Sequence, residues 1–163
     1  MRDQEIQDLL LQLKTTPEVL AAAVDGLSAE ALVLRPESGD FSVLENICHL
    51  RDIEVEGYTV RIQRILSEDV PDLADIDGGK LAVERDYNKE DLSAAFNAFT
   101  DARRRNLDVL FGLSAKQFAR TGELQGVGKV TLTRLLEMMC DHDAGHVDEL
   151  RIARRRLLMA QES

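Results

Sequence analysis

The sequence lacks tryptophan, and aromatic residues make up only 4% of its 163 positions, so aliphatic side chains must fill its core. Its two cysteines, Cys48 and Cys140, are too few for the disulfide framework of a small secreted protein. No apolar run approaches the roughly 20 residues of a membrane-spanning helix, and the first residues lack the apolar segment of a signal peptide. These absences predict a cytoplasmic, reduced protein without a membrane anchor, folded as one domain over residues 1–163.

Positive charge is also scarce in this sequence. The 30 acidic residues outnumber the 20 Lys and Arg residues, which gives a formal net charge of −10. This balance argues against binding to nucleic acid, because such binding depends on neutralising phosphates with basic side chains. Two local exceptions, Arg103-Arg104-Arg105 and Arg154-Arg155-Arg156, are interpreted as solvated helix faces or as charges that complement a helix C-terminus.

Apolar residues recur at helical spacing in four regions, and strand signals are almost absent. Ser42 followed three residues later by Glu45 is a capping box, which predicts the start of the second helix. Thr16-Pro17, inside the first region, predicts either an N-cap followed by proline or a kink. The four predicted helical regions are residues 6–26, 42 to about 66, 91–111 and about 131–158.

The segments between these regions predict connections. Residues 34–40 form a connector, and residues 69–80 form a loop that residues 81–87 extend or interrupt with a short helical turn. Residues 121–129 carry three glycines and predict a turn or a small hairpin. Four main helices with two sizeable connections indicate an all-α four-helix bundle.

The only three histidines carry the chemistry that the sequence suggests. His142 and His146 lie one turn apart on the predicted last helix, on the same side as Leu135 and Met139, and therefore face inward. Two imidazoles at this spacing can bind one metal ion, and His49 is the only other histidine that could complete a three-nitrogen site with an open position. The alternative is that the histidines are hydrogen-bonded core residues without a metal.

Carboxylates near the histidines raise a second question. Asp52 follows His49 by one helical turn and Glu56 follows it by two, so either could orient an imidazole or act as a catalytic base. Alternatively, these acids face solvent and pair with neighbouring arginines, which is the interpretation that we favour for Glu54. On the last helix, Asp143 is better placed than Glu149 to orient an imidazole or to act as a base.

Other chemistries find little support in the sequence. Cys48 and Cys140 precede histidines by one and two residues, so they point in other directions and are interpreted as core thiols. No glycine-rich phosphate loop follows a strand, and no serine lies in a nucleophile elbow.

Several segments, taken in order, resemble the DinB/YfiT-like superfamily of bacterial metalloproteins. The sequence has Phe41 where that family usually has tryptophan, and Asp52 matches its usual acidic position. The matching segments are Leu34-Arg35-Pro36, Gly39, Phe41-Ser42-Val43-Leu44-Glu45 with His49-Leu50, Glu84-Arg85-Asp86-Tyr87-Asn88, Gly128-Lys129-Val130-Thr131-Leu132 and His142-Asp143-Ala144-Gly145-His146.

The resemblance implies a four-helix bundle with long connections, often dimeric. It implies one divalent transition metal, commonly nickel or zinc with iron or manganese as alternatives, held by residues that match His49, His142 and His146. Members of the family include S-transferases and isomerases that use low-molecular-weight thiols, and metal-dependent hydrolases. We therefore expect a homodimeric metal-dependent enzyme, either a hydrolase or a thiol transferase, with a small-molecule substrate. The alternative is a non-enzymatic metal-binding or stress-related protein in which the ion is structural.

Overall fold

The computed structural model describes residues 3–162, and helices dominate it. The helices are α1 (Asp3–Val24), α2 (Ala29–Leu32), α3 (Val43–Asp52), α4 (Thr59–Ser67), α5 (Gly78–Glu84), α6 (Leu92–Phe111), α7 (Ala115–Phe118) and α8 (Leu132–Glu162). α1 packs against α6 and α8, and α3 packs against the same two helices. The predicted four-helix bundle is therefore confirmed.

Two buried apolar clusters fill the bundle. One lies around Leu10, Ile65 and Leu135, and the other lies around Leu20, Ile47 and Phe99. Cys48 and Cys140 are free and buried within these clusters, as expected for core thiols. Within the described part of the chain, no helix is long and apolar enough to cross a membrane.

The helix that opens at Ser42 begins as predicted but changes its winding. The Glu45 amide donates to Ser42 Oγ at 3.1 Å, and the Ser42 amide donates to Glu45 Oε1 at 3.0 Å, which completes the capping box. The helical path continues over residues 43–67, but Ile53–Tyr58 forms a π-helical turn between α3 and α4. At its end the amide of Thr59 donates to the carbonyl of Glu54, five residues back.

α1 runs without interruption through Pro17, so the predicted N-cap at Thr16 is wrong. A proline inside a helix has no amide hydrogen to donate to the carbonyl four residues earlier. The carbonyl of Leu13 therefore has no helical partner at this point, and the side chain of Arg103 donates to it at 3.0 Å.

Residues of two connections between helices form a small three-stranded sheet. It consists of β1 (Asp72–Leu73), β2 (Thr121–Leu124) and β3 (Gly128–Thr131), in that order. β2 and β3 form the predicted hairpin, in which Gly126 and Gly128 adopt φ values of +80° and +105°. β1, which pairs in parallel with β2, was not predicted, because two residues are too few to show strand alternation.

The connection between α4 and α6 contains more helix than the sequence predicted. α5 begins at Gly78, inside the segment that was predicted to be a loop, and Asp77 caps it by accepting from the Lys80 amide at 3.0 Å. A 3-10 turn, Tyr87–Lys89, follows before α6. This connection lies across α3 and brings Gly78 against His49.

Candidate metal centre

The three histidines converge inside the bundle. His49 extends from α3, and His142 and His146 extend from α8 one turn apart. One ring nitrogen of each residue lies within 4.8 Å of one ring nitrogen of each of the others. The structure thus brings together all three side chains that the sequence singled out as candidate ligands.

The spacing of these nitrogens suits a shared metal ion. Two nitrogens that each lie about 2.1 Å from an ion, at an angle of about 90–110°, are about 3.0–3.4 Å apart. Nε2 of His49 and Nε2 of His142 are 3.0 Å apart. A hydrogen bond between two neutral imidazoles has a similar length, but it would not account for the approach of the third ring to both. The ring centroid of His146 lies 4.6 Å from that of His49 and 4.5 Å from that of His142, which favours a site for all three.

Burial keeps these imidazoles neutral. It lowers the pKa of His49 to about 3, with a further contribution from the other two histidines. Burial likewise lowers the pKa of His142 to about 3, assisted by His146 and by Arg103, and it also lowers the pKa of His146. Because a metal ligand must offer an unprotonated nitrogen, all three rings are in the state that binding requires at neutral pH.

Asn46 fixes the orientation of His146. The amide nitrogen of Asn46 donates to the carbonyl of Ser42 at 3.0 Å, which turns its oxygen toward His146 Nδ1 at a distance of 2.7 Å. A proton on that nitrogen leaves Nε2 as the unprotonated atom, which is the usual way in which an outer partner sets a ligand's tautomer. Sequence reasoning missed Asn46. Its position on α3, three residues before His49 and on the same side, was the available signal.

Gly78 contacts the outer edge of His49. A Cβ atom at position 78 would lie 2.4 Å from Cε1 of His49 and 2.5 Å from its Nδ1, so only glycine leaves the ring in place. His49 is 8% exposed, and its buried Nδ1 has no hydrogen-bond partner among the described residues. The sequence predicted Gly78 only as part of a loop, because nothing local shows that the chain returns to α3 there.

Asp52 and Glu56, the predicted catalytic or orienting carboxylates, form hydrogen bonds with other side chains and not with the histidines. Asp52 is buried and accepts hydrogen bonds from Arg51, Arg85 and Tyr87. Glu56 is exposed, and both of its oxygens accept from Arg85, at 2.7 and 2.9 Å. Within residues 3–162, neither carboxylate makes a hydrogen bond to an imidazole, so the predicted orienting contact is not formed.

Two predictions about charged residues are wrong. Glu54, expected to face solvent, is 1% exposed, and Arg103, expected on a solvated helix face, is also 1% exposed. The two side chains form a bidentate pair with distances of 2.8 and 2.9 Å. Arg104 and Arg105 are exposed as predicted. The π-helical turn and core-facing positions on α3 and α6 place the Glu54–Arg103 pair inside the bundle.

Asp143 and Glu149 occupy different surroundings on α8. Asp143 is buried and accepts hydrogen bonds from Arg103 and Thr16 rather than from a histidine. Glu149 is half exposed, and its carboxylate lies 3.7 Å from Nδ1 of His146, on the side of that ring where Asn46 also lies. Neither residue joins the cluster of three nitrogens.

His142 and His146 are only partly buried. The side chain of His146 is 13% exposed. A groove of about 190 Å³ lies between the connector before α3 and the second half of α8, lined by Phe41, Glu149 and Ile152 among others. The ring of Phe41 lies 5.4 Å from that of His49, so this groove adjoins the cluster.

Both the sequence and the fold of the chain match known proteins. The sequence profile of the DinB superfamily matches residues 12–150. The fold is similar to that of YfiT from Bacillus subtilis, described as a probable metal-dependent hydrolase with an unusual four-helix bundle topology. The similarity has a TM-score of 0.89 at 21% sequence identity and covers 96% of this chain and 90% of YfiT. No curated protein sequence matches the chain at a significant level.

Proposed function

Because the chain belongs to the DinB superfamily, we propose that it is a metal-dependent enzyme whose single divalent ion is held by His49, His142 and His146. The observation that carries this proposal is the convergence of three neutral imidazoles from two helices within 4.8 Å of one another. Imidazole nitrogens suit nickel and zinc, with iron or manganese as alternatives.

The number of protein ligands favours an enzyme over a structural ion. A structural zinc site normally has four protein ligands, whereas a catalytic site has three and keeps a position open. Among residues 3–162, no carboxylate or thiol joins the three imidazoles. The nearby carboxylates of Asp52 and Asp143 are committed to arginines, so neither is free to close the site.

The chain's own residues prepare this site for a substrate. Asn46 holds the Nδ1 proton of His146, and Gly78 seals the outer edge of His49. Phe41 and Ile152 offer apolar surface to a small molecule that enters the groove. When bound, a divalent ion supplies Lewis acidity and lowers the pKa of a coordinated water or thiol.

We propose hydrolysis as the first reaction to test, because YfiT, which shares the fold, is described as a probable metal-dependent hydrolase. Transfer of a low-molecular-weight thiol to an electrophile is the alternative reaction of the same centre, since a thiol could occupy the same open position. We also propose a homodimer, for which the exposed apolar side chains of Leu34, Ile152 and Met159 are available surface. Sedimentation of the purified protein tests the homodimer.

Metal content is the primary test. The wild type, purified without chelator and reconstituted with nickel or zinc, should hold about one ion per chain. His146→Ala should lose most of that metal. Arg151→Gln, which changes an exposed residue of the same helix, should retain it. A wild type that takes up none of nickel, zinc, iron and manganese, with its fold intact by circular dichroism, would show that the histidines are core residues.

Activity measurements separate the candidate reactions. The metal-loaded protein is incubated with a panel of esters, amides and electrophiles, with and without glutathione, bacillithiol or mycothiol. Thiol-independent product formation supports hydrolysis, and product formation only with a thiol supports transfer. Activity that persists after complete metal removal contradicts the proposed enzyme, and metal binding without any turnover favours a structural ion.

A further inference from the structure

Arg103 sits at the centre of a buried polar network next to the proposed metal centre. Its guanidinium donates to both oxygens of Glu54, at 2.8 and 2.9 Å, and to both oxygens of Asp143, at 2.7 and 3.1 Å. It also donates to the carbonyl of Leu13 at 3.0 Å. All three of its nitrogens are therefore engaged, and the side chain is 2% exposed.

The first helix contributes two groups to this network. Pro17 cannot donate to the carbonyl of Leu13, which leaves that carbonyl free for Arg103. Thr16, the residue before the proline, donates its hydroxyl to Asp143 Oδ2 at 2.7 Å. The proline inside α1 thus has a specific consequence, because it supplies an acceptor at the point where Arg103 crosses the bundle.

The π-helical turn contributes Glu54, and further contacts hold it there. Asn106 on α6 donates to Glu54 Oε1 at 3.0 Å and to Thr59 Oγ1 at 2.9 Å. The hydroxyl of Thr59 in turn donates to the carbonyl of Glu54 at 2.8 Å. Side chains of α6 therefore fix both the carboxylate of the turn and the backbone that forms it.

The network joins the two helices that carry the imidazoles. Asp143 directly follows His142 on α8 and precedes His146 by three residues, and Glu54 follows His49 by five residues. Within residues 3–162, no member of the network makes a hydrogen bond to a histidine. The charge of Arg103 contributes to the lowered pKa of His142, but an effect of Arg103 on the distances among the three nitrogens must pass through the positions of α8 and of the π-helical turn.

We propose that Arg103 is a positioning residue for the metal centre: by binding Glu54 and Asp143 at once, it sets the rotation of α8 relative to the helix that carries His49. This inference rests on the proposed metal site. It assigns a role in metal affinity and coordination geometry to residues that touch neither the ion nor the substrate.

Small rotations are enough to matter at such a site. A ring nitrogen lies about 6 Å from the axis of its helix, so a rotation of α8 by about 10° moves it by about 1 Å. A metal site tolerates errors of only about 0.2 Å in its ligand distances. The two carboxylates, held through two hydrogen bonds each, resist that rotation because any turn of α8 separates Asp143 from the guanidinium.

The test measures cobalt binding to the folded full-length protein, by competition with a chelator and by visible absorption of the bound ion. Asp143→Asn should weaken cobalt affinity about tenfold or more and change the absorption bands, as outer-sphere substitutions do. Thr16→Val, which removes one hydrogen bond to Asp143 at nearly constant shape, should weaken affinity roughly threefold. Thr16→Ser, which keeps the hydroxyl, should restore wild-type affinity and bands.

Ile65→Val is the matched control, because Ile65 is fully buried and packs beside Gly122 of the sheet. It should lower Tm without changing cobalt affinity or absorption. If Asp143→Asn fails to fold, the Thr16 pair decides the matter alone. Wild-type affinity and bands in Thr16→Val would overturn the proposal, as would equal changes in Ile65→Val. A wild type that binds no cobalt would instead overturn the metal centre itself, before any variant is compared.

Discussion

Arg85 and Arg103 each bridge two carboxylates, and each has at least one carboxylate partner within residues 52–56 of the same helical path. Arg85 joins Asp52 and Glu56 at the surface, where the side chains of Arg85 and Glu56 are 37% and 43% exposed. Arg103 joins Glu54 to α8 in the core, where both partners of that pair are at most 2% exposed. Water can replace a lost partner in the surface cluster of Arg85, Asp52 and Glu56 but not in the core cluster of Arg103, Glu54 and Asp143. Similar pairings therefore differ in how much their removal lowers the free energy of unfolding.

The largest effect is expected from Arg103→Met. This change leaves two buried carboxylates without their cation, and breaking a buried pair in this way costs about 3–5 kcal/mol. Urea unfolding of the metal-free protein, followed by circular dichroism, measures the loss. A decrease of less than about 1 kcal/mol would mean that water enters the core cluster as readily as the surface cluster.

Asp52→Asn is expected to rank second. Asp52 belongs to the surface cluster but is itself only 5% exposed, and it accepts from Arg51, Arg85 and Tyr87. Hydrogen bonds to a buried charged group contribute about 1.5–3 kcal/mol, so the free energy of unfolding should fall by an amount in that range. A loss as large as that of Arg103→Met would remove the distinction between the two clusters.

The pH dependence of Asp52 provides a finer test. Burial alone would raise the pKa of Asp52, but hydrogen bonds from Arg51 and Tyr87 and the charge of Arg85 outweigh it and hold the pKa below its ordinary 3.8. The unfolded chain therefore takes up this proton first as the pH falls. The stability difference between wild type and Asp52→Asn should be constant between about pH 7 and pH 5 and shrink below about pH 4. Unfolding midpoints of both proteins across this range measure it.

Glu56→Gln should have the smallest effect. Both oxygens of Glu56 pair with Arg85, but the pair is exposed, and such pairs contribute about 0–1 kcal/mol. The difference should diminish further when salt is added, because exposed charges are screened. A loss above about 2 kcal/mol would show that Glu56 acts on the π-helical turn itself rather than as a surface partner.

Helical spacing in the sequence was enough to predict the core cluster, although Glu54 and Arg103 were interpreted as solvent-facing. Glu54 follows Ile47 by seven residues, and Arg103 follows Phe99 by four. Asp143 likewise follows a buried methionine by four residues. Each of the three charged residues therefore occupies a core-facing helical position. Three charges on core faces of three different helices indicate a buried network. The neighbouring arginines at 104 and 105 are exposed, and a run of three arginines favoured a solvated face for the first of them as well.

Other features were predicted because they are local. Helical spacing was enough to place His142 and His146 on one inward face, and a four-residue pattern was enough to place the capping box at Ser42. Gly78 against His49, and Arg103 against Leu13, depend on where distant segments meet, which no local pattern records. The π-helical turn was missed because a period of 3.6 residues was assumed for the whole helix.

The π-helical turn also has a consequence for how this chain should be aligned with other sequences. Ile53–Tyr58 holds about one residue more than an α-helical turn would need. Deleting one residue there would restore a continuous α-helix and leave the faces before and after the turn in nearly the same orientation, because the wider turn already absorbs the extra residue. His49 and the core face of α4 would both keep their directions. A relative can therefore lack this residue without changing either face, and an alignment that places the gap outside residues 53–58 will shift the residues between the gap and the turn by one position.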